Sequence, residues 1–171
     1  GRTKVIYVYT GDGKGKTSAC LGQIMRAKGR GLKAAFIQFM KQDGEAGEQI
    51  FLKELLGDNF KAAAKGFFRK EEERPEHREA AGLALAWTRD KMGKVDVLVA
   101  DEILYALGKG LVLEEELKAL LELSKKSNTH FILSGRGFPP HLTQDVDLIT
   151  EMKDVKHPWH EGKKAVPGLD F

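Results

Sequence analysis

Along this chain, short, mainly apolar runs alternate with stretches in which apolar residues recur at helical spacing. Val5 to Tyr9, Ala34 to Phe39, Val95 to Ala100 and Thr129 to Ser134 are runs of the first kind. Parallel strands buried on both faces read as continuous apolar runs rather than as alternation, so these are expected strands. Val146 to Met152 reads as a last one. Between them, Ala19 to Lys28 continues as a helix that Gly29 and Gly31 stop, and Glu48 to Leu56 is a second helix ending at Gly57. Pro75 suits a first helical turn, and Ala80, Leu83, Ala84 and Trp87 then fall on one face at i, i+3, i+4, i+7. Leu113, Leu117, Leu120 and Leu121 share a face of a further helix, and Pro139-Pro140 opens a short one. Asn59 to Phe68 fits a strand and a helical turn equally well, with Gly66-Phe67-Phe68 placing two aromatics in a loop. Val155 to Phe171 has no clear period.

Strands alternating with helices predict an α/β fold with a mainly parallel sheet covered on both faces. In such folds ligands bind outside the carboxyl ends of the strands. Residues 1–171 show no internal repeat or linker, so a single domain is expected.

The first strand end carries the sharpest motif, Tyr9-Thr10-Gly11-Asp12-Gly13-Lys14-Gly15-Lys16-Thr17-Ser18. Strand, glycine-rich turn and helix in that order is the context of a phosphate-binding loop. Successive backbone N–H groups and the positive end of the helix favour an anion there. Lys16 supplies a mobile charge for the phosphates and the Thr17 hydroxyl a ligand for Mg²⁺. Gly11, Gly13 and Gly15 are expected to take positive φ and to let the backbone approach the phosphates. Thr10 stands where such loops usually begin with glycine, which makes this one a residue tighter. The spacing fails the dinucleotide fingerprint.

Val97 to Ala100 leads into Asp101-Glu102, an acidic strand end of the kind that faces the loop and its metal in nucleotide-binding proteins. Thr17, Asp101 and Glu102 are therefore the candidate metal ligands, for Mg²⁺ or Mn²⁺. Gly135-Arg136-Gly137 follows the Thr129 run, so Arg136 is placed to reach a phosphate chain. Gln38 lies at another such end. Together these residues predict a three-layer P-loop NTPase-like, RecA-like domain.

Composition narrows the picture only a little. The chain has 171 residues, 42% hydrophobic and 31% charged, with a net charge of +3. That describes a folded globular chain rather than a disordered one. The basic residues are spread out rather than blocked with aromatics, so no nucleic-acid partner is expected. Cys20 alone cannot make an intrachain disulfide and reads as a small core residue. No apolar stretch is long enough for a membrane span and no secretion signal precedes the first strand, so the expected compartment is the cytoplasm. His157-Pro158-Trp159-His160 lacks the third ligand of a zinc site nearby in sequence. No nucleophile–base arrangement is evident. On the residues alone, a small-molecule kinase and a RecA-like regulatory or nucleic-acid module remain open.

Taken together the motifs resemble those of the P-loop corrinoid adenosyltransferases of the CobA/CobO/BtuR type. The resemblance rests on Thr10 to Ser18, Ile37-Gln38-Phe39-Met40-Lys41, Gly66-Phe67, Asp101 to Tyr105 and Ser134-Gly135-Arg136-Gly137. It extends to Val155-Lys156-His157-Pro158, Gly162 to Ala165 and Gly168 to Phe171. It implies an enzyme that moves the 5′-deoxyadenosyl group of ATP to the Co(I) of a reduced corrinoid and releases triphosphate, in adenosylcobalamin synthesis or salvage. It implies nucleotide contacts from Gly11, Asp12, Gly13, Lys14, Gly15, Lys16, Thr17, Ser18, Arg26, Gln38 and Arg136, with Lys16 and Arg136 active in catalysis. Phe67 matches a family aromatic that helps displace the lower axial ligand of Co(II)-corrinoid. The position two residues on, usually Trp in the family, is Arg69 here, and Phe68 is the neighbouring substitute. An electron donor, a flavoprotein or another reductant, and a homodimer are further implications.

Overall fold

A computed structural model describes residues 4–44, 46–64, 66 and 68–171. Phe67, the aromatic singled out above, lies outside the described residues.

Six strands form one sheet in the order β3-β2-β4-β5-β1-β6. They are β1 Ile6–Thr10, β2 Ala34–Gln38, β3 Phe60–Ala62, β4 Val97–Asp101, β5 His130–Ser134 and β6 Leu148–Glu151. Every neighbouring pair is parallel. The continuous apolar runs have the expected cause: β2 and β4 are buried at every residue. Alternate residues of a strand enter opposite layers. Phe36, Val97, Val99 and Ile132 pack with Cys20, Ile24 and Leu52 on one face, under α1 Lys16–Gly29 and α2 Gly47–Leu56. Ala35, Ile37, Leu98 and Leu133 pack on the other face, under α3 Arg74–Lys91, α4 Ile103–Gly108 and α5 Glu114–Lys126. The result is the three-layer α/β architecture of a P-loop domain.

The ambiguous stretch resolves as β3, a three-residue edge strand whose Phe60 packs against Phe36. Two helix faces differ from expectation. On α3 the buried stripe is His77, Ala80, Ala81, Ala84, Leu85 and Thr88, and Leu83 is 66% exposed. Small alanines let the helix lie close on the sheet, so the face is set by Ala81 and Leu85 rather than by Leu83. Leu113 is not on the buried face of α5. It is the N-cap, its backbone N–H held by the Glu116 carboxylate. The short helix α4, directly after the acidic strand end, is absent from the pattern reading because six residues are too few to show a period.

The carboxyl ends of β1, β2, β4 and β5 bring Thr10, Gln38, Asp101 and Ser134 together. Gln38 is paired with Asp101 and Tyr9 with Ser134 in the ladders. Among the described residues, no helix is long and apolar enough to cross a membrane.

Candidate active site

The loop between β1 and α1 is shaped by close backbone approach. Gly13 N–H donates to the Met152 carbonyl at 2.8 Å, and Met152 N–H donates to Thr10 O at 2.8 Å. A Cβ on Gly11 would sit 2.2 Å from Met152 O, and one on Gly13 2.7 Å from the Lys153 carbonyl. Gly11 and Gly15 have φ of 105° and 118°. Gly13 does not share the positive φ expected of it. It is glycine because the chain leaving β6 passes against it.

Gly15 is the N-cap of α1 and contributes no side-chain cap, so the first helical N–H groups face the loop. An anion placed there meets unpaired donors and the positive end of a 14-residue helix. The Lys16 ammonium folds over the loop onto the carbonyls of Gly11 and Gly13, at 2.8 and 2.7 Å. Burial lowers its pKa from the usual lysine value, and the Arg136 charge nearby adds to the shift.

Behind Thr17 lies a buried polar cluster. Asp101 is fully buried. It accepts from Thr17 Oγ1 at 3.1–3.2 Å, from Ser134 Oγ at 2.5 Å and from Gln38 Nε2 at 3.4 Å. Burial raises its pKa, and these donors oppose the rise. Gln38 is likewise fully buried and holds Asp101, Glu48 and Gln49 in place rather than facing the cavity.

Glu102 differs from its neighbour. Its φ of 63° is the only positive value at a described non-glycine residue, a conformation that L side chains rarely adopt. Ser134 Oγ accepts from its backbone N–H at 3.0 Å. Its Oε2 is buried with no hydrogen-bond partner. Burial, and then the Asp101 charge, push its pKa up to about 7. A buried, unpartnered carboxylate oxygen beside Thr17 is the donor that a hard divalent cation takes. Among the described residues no cluster of three or more His, Cys, Asp or Glu is poised to hold a metal. A cation here would complete its shell with phosphate and water oxygens.

Two cavities flank the loop. One, of about 630 Å³, runs from Gly15–Ser18 past Leu21 and Met25 of α1 to Phe51 of α2, with Leu169 and Phe171 on its outer side. Glu102 opens into it. So do Lys41 and Glu48, an ion pair at 2.6 Å to which the sequence reading assigned no role. Lys41 follows β2 by three residues and Glu48 lies in the first turn of α2, so the pair joins two elements and no local motif announces it. The other cavity, of about 480 Å³, is bordered by Asp12, Gly13, Arg136, Asp154 and the His157–His160 stretch. Lys14 and Lys16 border both. Arg26 is exposed on α1 and lines neither. Phe68 packs beneath the Arg74 guanidinium and against the His77 ring, away from both. His157 Nδ1 accepts from Trp159 N–H, and His160 Nε2 lies 2.8 Å from Asp154.

Fold and loop define a P-loop nucleotide-binding protein. The chain belongs to the ATP:corrinoid adenosyltransferase BtuR/CobO/CobP family, whose sequence profile matches residues 2–171. It is 33% identical to a corrinoid adenosyltransferase of Sinorhizobium over 98% of this chain and 80% of that one. It is 31% identical to one from Pseudomonas aeruginosa over 98% and 83%. The Escherichia coli K12 enzyme is 33% identical over 98% and 85%. Among solved structures, a DNA replication initiation factor aligns with 87% of this chain and 40% of its own, at 15% identity and a TM-score of 0.45.

Proposed function

We propose that the protein transfers the 5′-deoxyadenosyl group of ATP to the Co(I) centre of a reduced corrinoid and releases inorganic triphosphate. The supporting observation is that a chain matching this family from residue 2 to 171 folds with an uncapped helix N-terminus facing Glu102 across one cavity. In the reaction the cobalt electron pair forms a bond to C5′, the C5′–O5′ bond breaks, and its electrons leave with the triphosphate. Such a displacement needs alignment and a stabilised leaving group rather than a protein base.

The residues divide that work. Backbone N–H groups of Lys16 to Ser18 hold phosphate oxygens, and Lys16 exchanges its two loop carbonyls for them. Arg136 approaches from the polar cavity. Asp101, its oxygens engaged by Thr17, Ser134 and Gln38, orients the Thr17 hydroxyl. Glu102 and Thr17 are the residues that would hold Mg²⁺ or Mn²⁺, whose charge would stabilise the departing triphosphate. Phe67 is assigned the displacement of the lower axial ligand of Co(II)-corrinoid before reduction. A flavoprotein or other donor supplies the electron, and residues 1–171 act as one domain, in a cytoplasmic homodimer.

Incubation with ATP, Mg²⁺ and chemically reduced cobalamin tests the reading. The expected result is a light-sensitive cobalt–carbon chromophore formed in step with loss of ATP. ADP formed only with another acceptor would replace it with phosphoryl transfer. ATP binding without turnover, with salt-sensitive affinity for DNA or RNA, would replace it with a nucleic-acid module.

A further inference from the structure

The two loop lysines point different ways. Lys16 turns inward to the loop carbonyls, whereas Lys14 reaches across to residues 166–171. Its ammonium contacts the Asp170 carboxylate and donates to the Leu169 carbonyl at 3.0 Å. Those six residues form a closed turn. Asp170 N–H donates to Val166 O at 2.8 Å, and Val166 N–H donates back to Asp170 Oδ2 at 2.6 Å. Gly168 N–H donates to Phe171 O at 2.9 Å. The turn carries Leu169 and Phe171, 75% and 51% exposed, into the wall of the larger cavity, with the Phe171 backbone beside Gly47 at the start of α2. One exposed ion pair thus ties the phosphate loop to a wall of the compartment it serves.

We propose that Asp170 holds the place of a phosphate on Lys14, so that an incoming triphosphate displaces the carboxylate and drives the 166–171 turn away from the loop. The proposal rests on the phosphate-loop reading above. Two anions compete for one ammonium. An exposed ion pair is weak, whereas a triphosphate also gains the helix N-terminus and Lys16. Once phosphate sits on Lys14, Asp170 faces a like charge. Once off the loop the turn has only its own exposed hydrogen bonds, and so short a segment then opens readily. Asp170 is therefore a positioning residue. It sets nucleotide affinity through Lys14 and sets access to the cavity through Leu169 and Phe171.

The consequence is opposite in sign to ordinary ligand protection, and hydrogen exchange on the full chain reads it. Inorganic tripolyphosphate and ATP should slow exchange at residues 11–18 and speed it at 166–171, and adenosine should do neither. Asp170→Asn should tighten tripolyphosphate binding about two- to fivefold, the range of an exposed ion pair. Its 166–171 segment should exchange fast from the outset and ignore the ligand. Asp170→Glu should restore wild-type behaviour. Slower exchange at 166–171 with tripolyphosphate, or unchanged affinity in Asp170→Asn, would overturn the proposal. Lack of protection at 11–18 by either phosphate compound would remove the phosphate-loop reading, and the proposal with it.

Discussion

The two sides of the phosphate loop are built for different chemistry. On one side Leu21, Met25 and Phe51 offer alkyl and aromatic surface, and beyond the loop lysines and Asp170 charge enters at Lys41, Glu48 and Glu102. On the other, Arg136, Asp154, His157 and His160 make a smaller, polar space. Apolar surface binds flat organic groups through burial, whereas a polyanion needs fixed donors and cations. A nucleotide transferred through its carbon end presents both kinds of group to the protein at once. In the proposed reaction the loop is the partition: triphosphate charge stays against it and the polar side, and the organic partners meet on the apolar side.

The partition itself is the most sensitive point. Gly11→Ala forces a Cβ into the Met152 carbonyl at a φ of 105°. We expect a destabilisation of about 2–3 kcal/mol and loss of measurable ATP binding, read by denaturant melts and calorimetry. Lys16 borders both cavities, and Lys16→Ala should lower turnover about a hundredfold or more, the scale of one preorganised electrostatic contact. Wild-type turnover would remove Lys16 from the site.

Glu102→Gln should cost about a hundredfold in turnover and also change pH behaviour. The Glu102 carboxyl titrates at about 7 in the folded chain, above the ordinary 4.5. Below about pH 4.5 it is neutral in both folded and unfolded chains. As pH rises from there to 7, the unfolded chain releases the proton while the folded chain keeps it. Stability therefore falls through this window, by up to about 3 kcal/mol. Melts without divalent cations at pH 5 and pH 8 should show this fall in the wild type and a smaller one in Glu102→Gln. Equal slopes would contradict the burial of that carboxylate.

The smallest effects separate the two sides. Arg136→Ala should weaken tripolyphosphate binding about tenfold, the loss of one charged contact. Phe51→Ala should leave tripolyphosphate binding unchanged and raise KM for an organic substrate about threefold. The reverse pattern would exchange the roles of the cavities.

What was legible in the sequence follows from locality. The loop, its helix and the acidic end of β4 are contiguous motifs whose residues act on their own neighbours, so spacing alone reveals them. Gln38 was legible as a strand-end residue but not as a buried brace, because its partners Glu48, Gln49 and Asp101 arrive from other elements. The reason for Gly13 was misread because Lys153, its neighbour in space, lies far along the chain. The contact of Lys14 with Asp170 has no sequence signal at all. It joins a loop to an aperiodic segment 156 residues away. On α3 the spacing rule chose Leu83, and the alanines that decide the real face carry little weight in such a pattern.

The central claim is that carbon rather than phosphorus is the atom attacked. ³¹P NMR of a reaction with ATP, Mg²⁺ and reduced cobalamin tests it most directly. The account predicts inorganic tripolyphosphate, equimolar with alkylated corrinoid, and no ADP. ADP with orthophosphate as the sole phosphorus products would contradict it.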